Sequence, residues 1–321
     1  MPLNRGTLFD PKLVPELINR IKGKSSLAAL AASEPVPFNG QKEFVFTMGD
    51  EANLVAESGP KAAGSVGLAP VVTVPVKIEY GARVSDEFMT GAEEYKIEIL
   101  RAFSDGFAKK AARALDIMAF HGVNPRTNIL SNLLTGKYFD SGVTVVYEGA
   151  AGEEVDANTL IETAIGTIVD YDVTGMAMAP LLRTKLSRLT LGDDNKQPRY
   201  PQLGWGQAPG DINGLPISVN TTVPFGGSTD LGILGDFQSA FKWGFAKEIP
   251  LKVIEYGCPD NDTAAGDLQG HNQVYLRCEL YLGWAILDKD AFAVIRSGAA
   301  PSAEAEAEAG AGDGAGEGGE G

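Results

Sequence analysis

The strongest periodic pattern in the chain is a set of apolar residues that recur at spacings of three and four between residues 92 and 121. This spacing places them on one face of an α-helix, which the charged residues mostly avoid. Glu93 and Glu94 complement the positive end of the helix dipole, and Gly122 can end the helix in the left-handed conformation. At 1.5 Å per residue, the pattern predicts a helix of roughly 45 Å, long enough to cross a whole domain. Its apolar face consists of Ile97, Leu100, Phe103, Phe107, Ala111, Leu115 and Met118.

A pattern typical of extended chain precedes this helix, over residues 41–87. Pro75 has no amide hydrogen to donate, which favours a position at the edge of a sheet. The segments EFVF and NLVAE come before the glycine-rich stretch Glu57–Pro70, so residues 41–87 are predicted to form a long projecting hairpin with an irregular tip. A tip of this length is typical of a segment that acts outside the core of its own chain. The second arm of the hairpin has a period of two, which predicts one half-buried strand with the apolar face Val72, Val74, Val76, Ile78 and Tyr80.

The rest of the pattern alternates between helices and short strands. Further helices are predicted after Asp10, over Ser26–Ala32, from Asp156 to Ile168 and from Pro180 to about Leu191. Strands are predicted over 175–179, 217–220, 232–234, 240–245, 251–256 and 273–287, with AFAVIR last. Helices and antiparallel strands in mixed order are typical of an α+β fold rather than a doubly wound sheet.

The charge of the chain limits how it can interact with nucleic acid. A formal net charge of −15 is unsuited to gripping phosphates along an extended surface, which requires basic residues. It suits a protein that encloses DNA without adhering to it. Residues 299–321 contain six acidic residues and no basic ones, and they are predicted to be disordered because they cannot bury enough surface to offset their ordering entropy. No run of about 18 apolar residues and no secretory signal is evident, so no membrane association is expected.

The motifs predict neither a metal site nor a cofactor site. Cys258 and Cys278, with only His121 and His271 to join them, lack the spacing of a zinc site. Both cysteines are expected to be reduced packing residues, and His121 is expected to complement the helix dipole. The loop GPKAAGS has no lysine where a Walker loop requires one, and GWGQAPG lacks the third glycine of a dinucleotide-binding loop. Without a GxSxG motif and with two histidines, no catalytic residue for an external substrate is predicted.

In their order, these elements resemble the tailed-bacteriophage major capsid proteins of the Hong Kong 97 type. The resemblance covers about residues 1–298. The family's spine helix with its acidic entry is similar to SDEFMTGAEEYKIEILRAFSDGFAKKAARALDIMAFHG, and its axial strand, helix and turn are similar to TGMAMAPLLRTKLSRLTLGDDNKQPRYP. Its later strands are similar to NGLPISVNTTVP, LGDFQSAFKWGF and HNQVYLRCELYLGWAILDKDAFAVI.

The resemblance implies a division of the chain into domains. It places an N-terminal arm at 1–40, an extended hairpin (the E-loop) at 41–87, a peripheral domain at 88–149 and 246–298 with the spine helix at 92–121, an axial domain at 150–245, and a disordered acidic tail at 299–321. Family members often begin with a longer scaffold region. Only some 40 residues precede the hairpin here, so either a separate scaffolding protein or assembly helped only by the arm is expected.

The function that the resemblance implies is structural rather than enzymatic. The chain is expected to self-assemble into the hexamers and pentamers of an icosahedral phage head that encloses double-stranded DNA without reading its sequence. The expected location is the virion, after assembly in the host cytoplasm. The expected partners are further copies of the chain, the scaffolding protein, a portal protein and a decoration protein, and no cofactor is expected.

One covalent reaction is also implied by the resemblance. In the phage that names the fold, lysines at the hairpin tip form isopeptide bonds to asparagine side chains of neighbouring subunits, helped by a buried glutamate. Lys61, Asn272 and Glu279 are the corresponding candidates here. A carboxylate whose pKa is raised by apolar surroundings could take the proton from the attacking amine. The alternative is that Glu279 is a structural ion-pair partner, that Asn272 caps a turn and that Lys61 is solvated.

Two other functions are compatible with the pattern. One is an encapsulin-like compartment that holds protein cargo with the same hairpin and spine helix. The other, from a different class, is a small enzyme in which residues 57–70 form a glycine-rich lid.

Overall fold

The computed structural model describes residues 25–86, 93–150, 155–192, 194–204, 209–262 and 264–300. The helix predicted after Asp10 and nearly all of the acidic tail lie outside the described residues.

The described residues form an α+β fold, as the sequence predicts. Its helices are α1 (Ser26–Leu30), α2 (Glu93–His121), α3 (Ala157–Gly166) and α4 (Pro180–Ser187). Its first strands are β1 (Gln41–Met48), β2 (Val66–Thr73), β3 (Val76–Ser85), β4 (Thr144–Tyr147), β5 (Gly175–Met178) and β6 (Asp211–Ile212). The later strands are β7 (Leu215–Val219), β8 (Asp230–Gly235), β9 (Phe241–Ile254), β10 (Gln273–Ile286) and β11 (Phe292–Arg296). They form a two-stranded sheet β1-β2, a three-stranded sheet β3-β10-β9 and a six-stranded sheet β4-β11-β8-β5-β7-β6.

The predicted hairpin is present, but it is shorter than expected. Strands β1 and β2 pair antiparallel from Gln41 opposite Thr73 to Met48 opposite Val66. The run predicted as one strand is two strands, because β3 leaves the hairpin and pairs with β10 in another sheet. Pro75 lies between them and has no amide hydrogen to continue the ladder, so the chain changes sheets there. The hairpin therefore covers residues 41–73.

The three-stranded sheet contains a second departure from the expected strands. The segments predicted at 240–245 and 251–256 are parts of one strand, β9. Its pairing with β10 shifts register between Arg277 and Glu279 and again between Tyr281 and Leu282. β9 lies at the edge of its sheet, where a strand tolerates the proline of KEIPL and bulges, so the two predicted segments are continuous.

Helix α2 is the spine helix that the apolar spacing predicts. Leu115 and Phe107 are buried in one hydrophobic core together with Leu276 and Leu280 of β10. The helix ends at His121, and Gly122 follows with a φ of +67°. Its N–H donates to the carbonyl of Met118 over 3.0 Å, which is the predicted left-handed helix end.

A second hydrophobic core lies between the six-stranded sheet and helices α3 and α4. It contains Leu160 of α3, Leu182 of α4 and Met176 of β5. Asp156 caps α3, because its side chain accepts a hydrogen bond from the amide of Asn158, as predicted. Helix α4 ends at Ser187, earlier than expected.

We expect Leu115→Ala to lower the free energy of unfolding by about 2–5 kcal/mol, because it removes a fully buried side chain and leaves a cavity. Leu181→Ala is a matched control on α4, since Leu181 is 53% exposed, and it should cost less than about 0.5 kcal/mol. Denaturant unfolding of disassembled subunits measures both values. Equal losses for the two variants would show that α2 is not packed as described.

Candidate functional site

The hairpin presents an apolar face to solvent. Residues directly opposite each other in an antiparallel pair point to the same side of the sheet, so Phe44, Phe46 and Met48 of β1 share a side with their partners on β2. Those partners are Pro70, Leu68 and Val66. The five large side chains of this set are between 58% and 73% exposed. We call these six residues the hairpin face. It is a continuous apolar surface that the described residues of its own chain do not cover.

The base of the hairpin is fixed to the three-stranded sheet. Thr73 is buried, and Glu43 lies 3.4 Å from the ammonium group of Lys242 on β9. Charges of the neighbouring carboxylates hold the pKa of Lys242 above its usual value, although partial burial works to lower it. The hairpin therefore projects from a defined point on the protein body.

The tip of the hairpin is closed at its neck by Asp50 and Ser65. The carboxylate of Asp50 accepts hydrogen bonds from the backbone amide of Ser65 over 2.7 Å and from its hydroxyl over 2.9 Å. These bonds lower the pKa of Asp50. Leu54 and Lys61 are exposed in the loop that this contact closes.

The other two residues of the predicted cross-link lie on or just before β10. Asn272 follows a short 3-10 turn in the left-handed conformation, with a φ of +50°, and its carbonyl accepts from the amide of Asp86 over 2.8 Å. Glu279 is buried, and its carboxylate lies 2.6 Å from the ammonium group of Lys77 on β3. The hydrogen bond from Lys77 lowers the pKa of Glu279, against the effect of desolvation. Within one chain, Glu279 is thus paired with Lys77 rather than with Lys61.

The buried carboxylate of Asp116 lies on α2 and belongs to none of the sequence motifs. The signal that could have identified it is its place in the otherwise apolar stretch ALDIMAF. The carboxylate accepts hydrogen bonds from two segments that are distant in the chain. Burial raises its pKa, and the hydrogen bonds work to lower it. Its donors are the hydroxyls of Ser25 and Thr222, the amides of Ser26 and Leu27, and the side-chain amide of Asn220.

The sequence predicts that His121 complements the helix dipole, and the structure also gives its ring two hydrogen-bond partners. Its ring is buried, with Nδ1 2.7 Å from a carboxylate oxygen of Asp140 and Nε2 3.1 Å from the carbonyl oxygen of Thr222. Burial works to lower the pKa of His121, but the hydrogen bond to Asp140 and the charge of Asp230 raise it above its usual value.

The cysteines are both free, but only one is a packing residue. Cys278 is buried in the core, and burial raises the pKa of its thiol to about 12. Cys258 is exposed, which corrects the expectation for that residue.

The described residues combine a long helix, two sheets packed on two hydrophobic cores and a projecting hairpin whose apolar face they leave uncovered. Residues 5–297 match the model of the phage capsid family, so the chain belongs to that family. It is a major capsid protein that forms an icosahedral shell, and its fold is of the Hong Kong 97 type. The compartment and enzyme alternatives are not favoured.

The comparison with solved structures supports this assignment. A chain from Mycobacterium phage Ogopogo is 31% identical, with a TM-score of 0.74, over 85% of this chain and 92% of that one. A chain from Gordonia phage Cozz is 24% identical, with a TM-score of 0.70, over 86% of this chain and 87% of that one. A chain from the structure titled capsid of native GTA particle computed with C5 symmetry is 14% identical, with a TM-score of 0.60, over 85% of this chain and 90% of that one. No curated protein matches the chain.

Among the described residues, no helix is long and apolar enough to cross a membrane.

The ion pair of Glu279 makes a prediction about pH. At neutral pH we expect the wild type to be more stable than Glu279→Gln by about 1 kcal/mol, because Glu279 is buried while Lys77 is partly exposed. The pKa of Glu279 in the folded protein lies below its unfolded value, which is about 4.3. The difference should therefore be present above that pH and be lost as the pH falls through the folded pKa.

Denaturant unfolding of both proteins across this pH range measures the difference. Glu255→Gln, at an exposed position, is the matched control and should show no such dependence. A difference that persists at low pH would mean that the ion pair is not its source.

Proposed function

We propose that the chain builds hexamers and pentamers in which each hairpin lies across a neighbouring copy. The observation that supports this most directly is the hairpin face, because it is apolar, continuous and uncovered. Monomeric soluble proteins rarely leave such a surface exposed, and where it occurs it usually marks an interaction site. A second copy of the chain is the natural occupant, since a capsid subunit is surrounded by its own copies.

The energy available from this face is large enough to matter. Complete burial of a Phe, Leu, Met or Val side chain is worth about 1.5–3 kcal/mol, and the exposed fractions of the hairpin face leave more than half of that to be gained on contact. Each contact is modest, but a subunit that binds several neighbours at once gains from their raised effective concentration. Many such contacts would stabilise a closed shell.

The domain roles form part of the same proposal. Residues 88–149 and 246–298 would form the peripheral domain and residues 150–245 the axial domain, with the loop at 192–214 near the symmetry axis. The two hydrophobic cores support two packing units, although the six-stranded sheet also takes in β4 and β11. Of the arm at 1–40, only the residues before Ser25, which lie outside the described residues, are proposed to contact neighbouring subunits, because Leu27 and Ala28 are buried in the core of their own chain.

We further propose that the shell encloses double-stranded DNA without sequence-specific contacts. The net charge of −15 supports this, because gripping phosphates along an extended surface requires an excess of basic residues, which the chain lacks. The other partners that we propose are a separate scaffolding protein, a portal protein and a decoration protein. We propose that assembly takes place in the host cytoplasm. The protein would turn over no external substrate.

The assembly proposal is tested by placing a charge in the hairpin face. We expect Phe46→Glu to prevent particle formation, because an unpaired carboxylate in a buried contact costs several kcal/mol and about 1.4 kcal/mol already weakens an association tenfold. Thr47→Glu is the matched control, since Thr47 is exposed on the other side of the same strand. Electron microscopy and sedimentation should show particles for the wild type and the control, and only small oligomers for Phe46→Glu. Normal particles from Phe46→Glu would refute the role of the hairpin face.

The cross-link between Lys61 and Asn272 of a neighbouring copy stays a prediction. The reaction joins Nζ of Lys61 to the side-chain carbonyl carbon of Asn272, breaks the C–N bond of that side-chain amide and releases its nitrogen as ammonia. It needs Glu279 as a base to take the proton from the amine, so Lys77 would have to leave the carboxylate of Glu279 first. If the link forms, boiled particles should run on a denaturing gel as a ladder, and Lys61→Arg should restore one band near 33.8 kDa. A single band from wild-type particles would contradict the cross-link and leave Glu279 as the structural partner of Lys77.

A further inference from the structure

Three side chains that are distant in the sequence meet at the end of the spine helix. His121 ends α2, Asp140 lies in the loop before β4, and Asp230 begins β8. One ligand atom from each lies within 4.8 Å of the other two. The Nδ1 atom of His121 is 2.7 Å from Oδ2 of Asp140 and 3.5 Å from Oδ2 of Asp230. We call these three residues the His–Asp–Asp cluster.

The orientation of the His121 ring places its Nδ1 atom against two carboxylate oxygens. Nε2 faces the carbonyl oxygen of Thr222, which can only accept, so Nε2 carries a hydrogen and donates it. In a neutral imidazole, Nδ1 then presents a lone pair, and that lone pair faces two carboxylate oxygens. Either a metal ion or a proton, on Nδ1 or on one of the two carboxylates, must therefore lie between these atoms. A proton on Asp230 would still leave the Nδ1 lone pair 2.7 Å from Oδ2 of Asp140.

A proton on Nδ1 satisfies only part of the cluster. It can be donated to Asp140, but Oδ2 of Asp230 is left without a hydrogen-bond partner although Asp230 is fully buried. A buried and unpaired carboxylate oxygen is costly. A metal ion would bind all three atoms at once and would satisfy this oxygen.

We propose that the His–Asp–Asp cluster binds one divalent transition-metal ion, of which Zn²⁺ is the best candidate. The ligands are Nδ1 of His121 and Oδ2 of Asp140 and of Asp230, and water completes the coordination. An imidazole with two carboxylates is a suitable donor set for zinc. Calcium prefers six or more oxygen ligands, which the cluster does not supply.

The surroundings of the cluster match those of known metal sites. A histidine ligand usually donates its other ring N–H to a carbonyl or carboxylate, as His121 does to Thr222. Carboxylate ligands are themselves usually hydrogen-bonded, and Arg296 of β11 donates to Oδ1 of Asp230 and to Oδ1 of Asp140, each over 2.6 Å. Arg296 thereby leaves both Oδ2 atoms free for the ion. The positive charge of Arg296 lowers the affinity of the cluster for any metal ion. Only a metal of high intrinsic affinity would therefore occupy it.

A bound ion would join three parts of the fold directly and a fourth through Arg296. The ligands come from the end of α2, the loop that contains Asp140 and the start of β8, while Arg296 adds β11. An ion that binds only the folded state raises its stability by mass action. The site would therefore fasten the spine helix to the six-stranded sheet in every subunit of the shell.

The test uses the full-length protein, treated with a chelator, dialysed and then incubated with Zn²⁺. We expect one zinc ion per chain by elemental analysis and a rise in the thermal unfolding midpoint. Asp230→Asn should weaken zinc binding at least about tenfold, since even loss of an outer-shell partner has that effect. The control is His271→Gln, which removes the other histidine of the chain, an exposed residue, and should bind zinc as the wild type does.

The proposal is overturned if the wild type binds no stoichiometric zinc, or if Asp230→Asn binds it equally well. Since Asp230→Asn removes a buried group and could fail to fold, a second measurement uses only the wild type. Anomalous diffraction or cryo-electron microscopy of zinc-treated particles locates the ion directly. Density about 2.0–2.1 Å from Nδ1 of His121 supports the proposal, and zinc found only elsewhere refutes it.

Discussion

The carboxylate of Asp116 is the interaction on which the arrangement of the protein body depends. It is fully buried, so its removal from water carries a cost that only a nearly complete set of donors offsets. Those donors come from the segment that begins α1 and from the loop after β7, which are 90 and 106 positions from Asp116. Neither segment can move away without leaving the carboxylate unsatisfied. The spine helix, α1 and the six-stranded sheet are therefore fixed relative to one another.

Unlike the protein body, most of the hairpin is not held by contacts within the described part of its own chain. An isolated two-stranded sheet is only marginally stable in water, and its exposed face has no partner among the described residues. Its base is held by the burial of Thr73 and by the charge of Lys242 near Glu43, but the rest projects. In a shell-forming protein this is a reasonable division, because the body folds on its own contacts while the hairpin, in the assembly proposed above, would obtain its packing from a neighbouring copy.

Periodicity predicted the elements that dominate the fold, because local spacing determines them. The spine helix, the cap at Asp156 and the buried strand β5 depend on residues close together in sequence. The change of sheet at Pro75 and the continuity of β9 could not be read this way, since they depend on which strand lies alongside. The cluster of His121, Asp140 and Asp230 has no sequence motif at all, because its members meet only through the tertiary fold.

The course of the chain shows how a load on the hairpin would enter the body. β2 continues through Pro75 into β3, and proline makes this junction stiff because its ring fixes φ. β3 pairs with β10 along its whole length, from Val76 opposite Leu282 to Ser85 opposite Gln273. A pull from a neighbouring subunit would be shared among these hydrogen bonds rather than concentrated at one. Since β10 packs in the same core as α2, the force would reach the helix whose far end Asp116 and His121 hold in place.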